Sequence, residues 1–287
     1  MINLKLKEII LSTNVDIMNI EFSYFWLSKA GNDENECDDA LFPYNISSDI
    51  VLQNQKFKRF AIADGASTAY LSGMWATTLV DGFGSYNGEI NDSNFFDLLQ
   101  TVILDQSWNT RFTDYLKKRE ENGNSLSWHD EMALQNGTGS TLLEISFPVN
   151  DGKIGNIFSA LAIGDSCLFQ IRNDELIVKF PLNDSVDFDN TPALISNESK
   201  RNAELNEKIA YLENQNIIEK DRLFLMTDAL AFWFLQAHEN GNTPWHTIEE
   251  NTRDKSSFTD WIECLREYQQ IRNDDVTLMI LKIQEDE

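Results

Sequence analysis

Aspartates stand at the ends of four apolar, strand-like runs of this sequence, and an acidic pair lies upstream of them. They are Asp64 in FAIADGAS, Asp165 in ALAIGDS, Asp228 in LFLMTDAL and Asp274 in IRNDDVTLMI, with Asp38–Asp39 in ECDDALF. A carboxylate at the mouth of a buried strand is costly unless its charge is compensated. Several such carboxylates, far apart in sequence, indicate one pocket that holds hard divalent cations through oxygen ligands. The pattern predicts metal-assisted phosphoryl transfer or hydrolysis.

Size and composition indicate one domain with a substantial core. The 287 residues fit one large domain or two small ones, and 42% of them are hydrophobic, including 18 Phe and 7 Trp. The sequence has no internal repeat, low-complexity stretch or proline-rich linker. We therefore expect a single domain over residues 1–287.

The charge balance is strongly acidic and excludes some partners. Lys and Arg total 23 while Asp and Glu total 47, which gives a net charge of −24. Such a surface repels phosphate backbones and anionic lipids, so we expect neither nucleic-acid nor membrane binding, but rather cations and partners with basic flanks. Three widely spaced cysteines predict no disulfide framework and no thiolate zinc site. Without a signal-peptide pattern or a membrane-spanning run, a cytoplasmic location is expected.

Hydrophobic periodicity predicts strands that cluster mid-chain and helices that come in pairs. The predicted strands are 17–28, 57–63, 140–147, 157–163, 167–172, 175–180, 222–227 and 276–283. The predicted helices are 67–80 (with Ser67 or Thr68 as N-cap), 94–118, 202–214, 228–239 and 258–268. Asn173–Asp174 is a hairpin turn signal. This order favours an α+β fold with antiparallel sheets over alternating βαβ units.

Each acidic residue also has an ordinary structural interpretation. Asp64 and Asp228 are suited to cap the helices that follow them. Asp165 is typical of a hairpin turn, Asp274 of a turn before a strand, and Asp38–Asp39 of a solvated acidic run. The order and context of the whole set favour a common site.

That order of motifs resembles the metal-dependent serine/threonine protein phosphatases of the PPM type, the protein phosphatase 2C class, in its bacterial branch. The resemblance covers residues from about 20 to 282. It is carried by six blocks in family order, namely Asp38–Asp39, Asp64–Gly65, Gly139–Ser140–Thr141, Gly164–Asp165–Ser166, Thr227–Asp228–Ala229–Leu230 and Asp274–Asp275–Val276–Thr277.

The resemblance implies a fold and a role for each block. Two central antiparallel β-sheets are expected between pairs of α-helices (αββα). Asp64 would bridge two Mg²⁺ or Mn²⁺ ions with the Gly65 carbonyl on one of them, and Asp228 and Asp274 would complete the second. Asp38 and Asp39 would belong to the metal site by orienting metal-bound waters, directly or through neighbouring groups, and Asp165, with Asp228, would hold a weaker third ion.

The implied reaction is hydrolysis of phosphoserine or phosphothreonine in proteins. A water between the two ions would attack phosphorus in line, without a covalent intermediate. In this scheme Asp39, Asp64, Asp228 and Asp274 are the catalytic carboxylates. The implied partner is a phosphorylated protein, and bacterial relatives often counteract a serine/threonine kinase.

The sequence departs from the family pattern at several positions. Ala66 replaces a histidine that can follow the D-G pair, and Glu34 replaces an arginine that binds phosphate. Lys29 is the expected substitute for that arginine, and Arg59, on a strand, is a poorer one. Ala229 replaces a glycine, and alanine fits there if the residue is helical but not if its φ must be positive.

Two alternative functions stay open. A pseudophosphatase would keep the fold and bind a partner without turnover, which Glu34 and Ala66 favour. A phosphatase of small molecules ranks last, because the sequence has no glycine-rich phosphate cradle.

Four further residues are assigned in the C-terminal half. The segment 180–195 is expected to be a connecting loop, with Phe188 and Asn190 facing substrate if it forms a flap. By resemblance, Trp245 and Trp261 are expected in the core.

Overall fold

The computed structural model describes residues 18–44, 56–67, 69–189 and 191–285 and shows an α+β fold. The strands are β1 Met18–Leu27, β2 Asp39–Phe42, β3 Phe57–Asp64, β4 Gly139–Ser140, β5 Leu142–Asn150, β6 Lys153–Ile154, β7 Ile157–Ile163, β8 Cys167–Arg172, β9 Glu175–Phe180, β10 Ile195–Ser196, β11 Ala210–Asn216, β12 Arg222–Met226 and β13 Val276–Glu285.

The helices flank these strands. They are α1 Ser72–Ser85, α2 Phe95–Leu98, a π-helical stretch Leu99–Trp108, α3 Asn109–Glu121, α4 Trp128–Gln135, α5 Asp228–Glu239, α6 Pro244–Asn251 and α7 Lys255–Glu267. Short 3₁₀ turns occupy Glu34–Glu36, Ser185–Asp187, Ser199–Asn202 and Leu205–Lys208. In the described part of the chain, no helix is long and apolar enough to cross a membrane.

The long strands form two antiparallel sheets that are joined at one corner. The first sheet has the order β2–β3–β5–β7–β11, and the second has the order β1–β13–β12–β8–β9. The short strand β6 pairs with both β5 and β1, so the two sheets share one hydrogen-bonded network. Strand β1 pairs with β13 over ten residues, which brings the two ends of the described chain together.

Three layers of buried apolar residues hold the sheets and helices together. Between the sheets lie side chains such as Phe60 and Leu281. The outer face of the first sheet packs against α1 and the helix that begins at Phe95, with Trp75 fully buried. The outer face of the second sheet packs against α5, α6 and α7, where Trp245 and Trp261 are buried. The predicted αββα architecture is therefore confirmed, and so is the core location of both tryptophans.

The first helix begins later than its hydrophobic periodicity predicts. Helix α1 starts at Ser72, after Leu71 at φ 64°, and not at Ser67. The reason is that Ser72 Oγ and the Gly73 N–H donate to the Asp38 carboxylate, which fixes where the helix starts. Thr68 lies outside the described residues.

The predicted helix over 202–214 is wrong. Its first half forms two 3₁₀ turns, and its second half is strand β11, which pairs with β7 from Ala210↔Ala162 onward. Asn202 competes with helical hydrogen bonding, because its side chain bonds both the N–H and the carbonyl of Ser196. The pairing available at the sheet edge outweighs the helical spacing of this segment.

A buried ion pair joins the two central strands of the first sheet. Arg59 on β3 and Glu144 on β5 form a salt bridge with side chains only 1% and 3% exposed. The Arg59 guanidinium also donates to the carbonyls of Tyr86 and Gly88. Arg59 therefore has its hydrogen-bonding capacity engaged within the fold and is not placed to meet a substrate.

Candidate functional site

Sheet topology brings the acidic blocks to one edge of the sandwich. Asp39, the first residue of β2, pairs directly with Asp64, the last residue of β3. In the second sheet, Met226 at the end of β12 pairs with Leu278 near the start of β13. Because neighbouring antiparallel strands alternate in direction, strand ends and strand starts meet at the same edge.

Asp64 and Gly65 are held by their backbone atoms. The Asp64 N–H donates to Thr141 Oγ1 at 3.0 Å, and the Asp64 carbonyl accepts from the Thr141 N–H at 2.9 Å. Glycine is required at 65, because a Cβ there would lie 2.7 Å from the Asp38 carbonyl oxygen. The carboxylate of Asp64 is not used in these contacts, and it lies within electrostatic reach of Asp39 and Asp228.

Asp38 joins the acidic pair to helix α1. Its Oδ1 accepts from Ser72 Oγ at 2.8 Å and from the Gly73 N–H at 3.0 Å. Its backbone carbonyl accepts from the Gly65 N–H at 3.1 Å. Burial raises the pKa of Asp38, and the hydrogen bond from Ser72 opposes that shift. With one oxygen held by the helix, Asp38 is a supporting member of the site.

Asp39 faces the carboxylates of the second sheet. Its Oδ2 accepts from Thr227 Oγ1 at 3.0 Å, while its Oδ1 is buried and has no hydrogen-bond partner. Burial, reinforced by the nearby charge of Asp275, raises the pKa of Asp39 well above its usual range. The Thr227 bond crosses from one sheet to the other and sets the spacing between Asp39 and the next residue, Asp228.

Asp228 opens helix α5. It is buried, its Oδ1 has no hydrogen-bond partner, and its Oδ2 lies 3.0 Å from the guanidinium of Arg272. Burial raises the pKa of Asp228, and the charge of Arg272 opposes that shift. Ala229, which stands where the family has glycine, is helical, so its backbone conformation is compatible with alanine.

Asp165 lies in the turn between β7 and β8. It is 6% exposed and its Oδ1 has no hydrogen-bond partner. Gly164 adopts φ +97°, and a Cβ there would lie 2.5 Å from Thr141 Cγ2. Ser166 Oγ and Thr141 Oγ1 are 3.0 Å apart, so this turn is tied to the loop that holds Asp64. Burial, with the charge of Asp228, raises the pKa of Asp165 to about 7.

Asp274 and Asp275 precede β13 and have different surroundings. Asp274 is half-buried, and its Oδ1 accepts from the Asp275 N–H. Asp275 is 3% exposed and accepts from the backbone N–H of Lys29 at 2.8 Å and of Asp38 at 2.7 Å. Asp275 thus fixes two loops of the site. Asp275 has no predicted role of its own, although its position beside Asp274 in the motif is a signal in the sequence.

The site concentrates negative charge that the described protein groups compensate only in part. Burial first, then the charges of Asp39, Asp228, Asp274 and Asp165, raise the pKa of Asp64 well above its usual range. Three buried carboxylate oxygens, on Asp39, Asp165 and Asp228, have no hydrogen-bond partner. Buried polar atoms of this kind are normally paired, and a divalent cation would supply what they lack.

Among the described residues, no group of three or more His, Cys, Asp or Glu side chains is arranged so that it could hold a metal ion by itself. Mg²⁺ in proteins usually keeps several waters and takes only one or two carboxylates directly. The donors also suit the ion, since all are hard oxygens. The residues present therefore fit Mg²⁺ or Mn²⁺.

Two lysines near the site differ in what they can reach. Lys29 is half-buried and close to Asp38. Burial raises the pKa of Asp38, and the charge of Lys29 is one of the smaller effects that lower it. Lys255 pairs with Glu34 at 2.7 Å and lies over the ring of Trp26. Glu34, at the position where the family often has arginine, is thus exposed and paired outside the carboxylate cluster.

The segment that follows β9 borders Asp165. Phe188 packs edge-on against Phe232 of α5 at 5.7 Å between ring centroids, so its ring contributes to the core of the second helical layer. A pocket of about 280 Å³ separates this segment from the β7–β8 turn, and its acidic lining residues are Asp165, Asp187 and Asp189. Asn190 lies outside the described residues.

The comparisons with known proteins give structural likenesses only. No protein-family model matches the sequence, and no curated protein does. Among solved structures, the catalytic domain of the serine/threonine protein phosphatase PstP, in complex with two manganese ions, is 15% identical. It has a TM-score of 0.53, with 93% of this chain and 100% of that chain covered.

Two other solved structures give the same result. The serine/threonine phosphatase of S. agalactiae is 13% identical, with a TM-score of 0.50 and coverage of 93% of this chain and 100% of its own. The photosystem II phosphatase PBCP is 12% identical, with a TM-score of 0.52 and coverage of 92% and 98%. At these identities the likeness establishes architecture, and the chain has the fold of the PPM-type, protein phosphatase 2C-like phosphatases.

Proposed function

We propose that this protein is a Mg²⁺- or Mn²⁺-dependent phosphatase of phosphoserine and phosphothreonine in proteins. One observation carries the proposal, namely the three unpartnered carboxylate oxygens buried where strand ends of both sheets meet. Structures that share this fold include a phosphatase domain in complex with two manganese ions. The fold and the uncompensated charge together favour a metal-assisted hydrolase over a purely structural role.

The proposed ligands of two ions are the carboxylates of Asp64, Asp228 and Asp274 and the carbonyl of Gly65. When bound, the ions would supply positive charge against the phosphoryl oxygens and activate water at neutral pH. Asp39, whose Oδ1 is free of other partners, would orient water, and Asp38 would support it from the start of α1. Asp165, with its own free oxygen, is the proposed ligand of a third, weaker ion.

Water is the nucleophile that fits these surroundings. Cys37 is the nearest thiol in sequence, but burial and the charge of Asp39 raise its pKa, which disfavours the thiolate that a nucleophile requires. Ala66 leaves no histidine after the D-G pair. Attack by water gives the alcohol and inorganic phosphate directly, without a covalent phosphoenzyme.

The proposed substrates are proteins with basic residues near the phosphorylated side chain. Asp187 and Asp189 line the pocket beside Asp165, and the net charge of −24 would attract such segments. A serine/threonine kinase is a proposed partner. The free state of Cys37, Cys167 and Cys264 supports a reducing, cytoplasmic location.

The test is hydrolysis of a phosphothreonine peptide in parallel reactions with EDTA, Mg²⁺ and Mn²⁺. We expect phosphate release only with a divalent ion. The absence of release with either ion, while calorimetry still detects Mn²⁺ binding, would instead support the pseudophosphatase. Glu34 paired with Lys255 and the alanine at 66 are the observations that favour that second function. Faster turnover of nucleotides than of phosphopeptides would favour the small-molecule phosphatase.

Lys29 is the proposed phosphate-binding lysine, and its removal should act mainly on KM. We expect Lys29→Ala to raise KM for the phosphopeptide several-fold, about 1 kcal/mol of binding, with kcat nearly unchanged. The reason is that a point charge contacts phosphate in ground and transition states alike. Lys255→Ala is the matched control, since that lysine already pairs with Glu34. A KM equal to that of the wild type would remove Lys29 from the site.

A further inference from the structure

Arg272 contacts the carboxylate cluster, and no sequence motif assigns it a role. It lies between α7 and β13, and its Nη2 is 3.0 Å from Asp228 Oδ2. The side chain of Arg272 is 44% exposed, whereas that of Asp228 is 10% exposed. The guanidinium also lies over the ring of Phe232, with 5.9 Å from Cζ to the ring centroid. A half-exposed cation is therefore paired with a nearly buried anion.

This ion pair is poorly suited to a purely structural role. An arginine this exposed contributes little stability through a salt bridge, because water screens the pair. Arg59 of the first sheet is bound differently, with a nearly buried side chain and several acceptors. Arg272 has a single carboxylate partner within salt-bridge distance among the described residues.

The same carboxylate would serve two cations, Arg272 at Oδ2 and the proposed divalent ion, for which Oδ1 has no other partner. Asp228 Oδ2 accepts from Arg272, and Asp228 is a proposed ligand of a divalent ion. A guanidinium and a divalent cation in contact with one carboxylate repel each other, so binding of one weakens binding of the other. Binding of ions at Asp228 would therefore release the Arg272 guanidinium at the mouth of the site.

The released guanidinium has the chemistry that a phosphate ligand requires. It is planar, permanently charged and able to donate two parallel hydrogen bonds to phosphate oxygens. This chain has Glu34 at the position where the family often has such an arginine, so another residue must supply the two parallel hydrogen bonds to phosphate. Contact with the Phe232 ring keeps the side chain near the carboxylates when its partner is lost.

We propose that Arg272 exchanges partners, from Asp228 in the ion-free protein to the substrate phosphate once divalent ions are bound. Only the second part of this inference, the binding of the substrate phosphate by Arg272, rests on the proposed function. The competition with divalent ions holds for any ligand role of Asp228 and is measured without substrate or turnover.

The first test is calorimetric titration of the purified full chain with Mn²⁺ alone. We expect Arg272→Gln to tighten Mn²⁺ binding roughly three- to tenfold, because the competing charge is gone. Arg272→Lys, which keeps the charge but loses the fork, should lie closer to the wild type. Arg222→Gln is the matched control, since Arg222 pairs with Glu249 at the opposite end of β12 and should leave Mn²⁺ affinity unchanged. Equal Mn²⁺ affinity in Arg272→Gln and the wild type would overturn the exchange.

The second test is titration of the Mn²⁺-loaded protein with inorganic phosphate. We expect both Arg272→Gln and Arg272→Lys to weaken phosphate binding, the former by about tenfold, because only arginine supplies the bidentate fork. Unchanged phosphate affinity in both variants would overturn the phosphate half of the proposal. Neither titration depends on turnover, so an inactive wild type would contradict the proposed function and leave both tests valid.

Discussion

Asp64→Asn should lower kcat/KM for a phosphothreonine peptide by about a thousandfold or more, which corresponds to ~4 kcal/mol of lost transition-state stabilisation. The substitution removes the carboxylate proposed to bridge two ions, so Mn²⁺ binding measured by calorimetry should weaken as well. Asparagine keeps the shape of the side chain and one oxygen, but not the charge that a pair of cations requires.

The fold should tolerate this change. The contacts to Thr141 are made by the backbone of Asp64 and not by its side chain. Burial and the charge of Asp39 disfavour the ionised carboxylate of Asp64, as its raised pKa indicates, so the side chain destabilises the ion-free fold. The ion-free variant should therefore melt at or above the temperature of the ion-free wild type.

Asp260→Asn is the matched control for charge. Asp260 is an exposed aspartate on α7, and its loss also removes one negative charge. We expect wild-type activity from that variant. Near-normal turnover by Asp64→Asn would refute the two-ion assignment, whereas loss of activity together with a lower melting temperature would indicate a structural defect.

Glu144→Ala should cost about 3–5 kcal/mol of folding free energy, since it leaves the Arg59 guanidinium without its counter-ion inside the first sheet. Desolvation of an unpaired charge is the dominant cost, and the two carbonyls that accept from Arg59 do not neutralise it. Urea denaturation at neutral pH measures the change as a lower midpoint with a similar slope.

A double variant separates the charge from the packing. Arg59→Met with Glu144→Leu removes both charges and keeps apolar volume, so it should recover much of the stability that the single variant loses. A loss below about 1 kcal/mol in Glu144→Ala would show that water or backbone movement solvates Arg59. Equal losses in the single and double variants would instead assign the effect to packing.

The residues that were predictable from sequence are those whose signal is local. Asn173 and Asp174 form the expected hairpin turn, with φ of 49° and 65°. The strands between Leu142 and Met226 follow from runs of β-branched and aromatic residues, apart from short or edge strands such as β11. The acidic motifs lie at the ends of strands, as predicted, and they come close together because an antiparallel sandwich brings those ends to one edge.

The features that were missed depend on partners distant in sequence. Asn202 diverts its segment from a helix through bonds to Ser196, and the strand that follows depends on β7. Asp275 acts on backbone groups 246 and 237 positions away, at Lys29 and Asp38. Arg272 belongs to no sequence motif of the site, and its contact with Asp228 arises only in the fold. No local periodicity encodes contacts of this kind.

The pairing of the first described strand with the last has a consequence for biosynthesis. Strand β1 has ten partners on β13, and the loop that holds Lys29 is fixed by Asp275 just before β13. Domains form as units during synthesis, and contacts between distant segments close late. While β13 is still inside the ribosome, β1 lacks its main partner and the acidic loops lack their anchor. A nascent chain therefore acquires this pocket only once β13 has left the ribosome, and a product that ends before β13 has no assembled site.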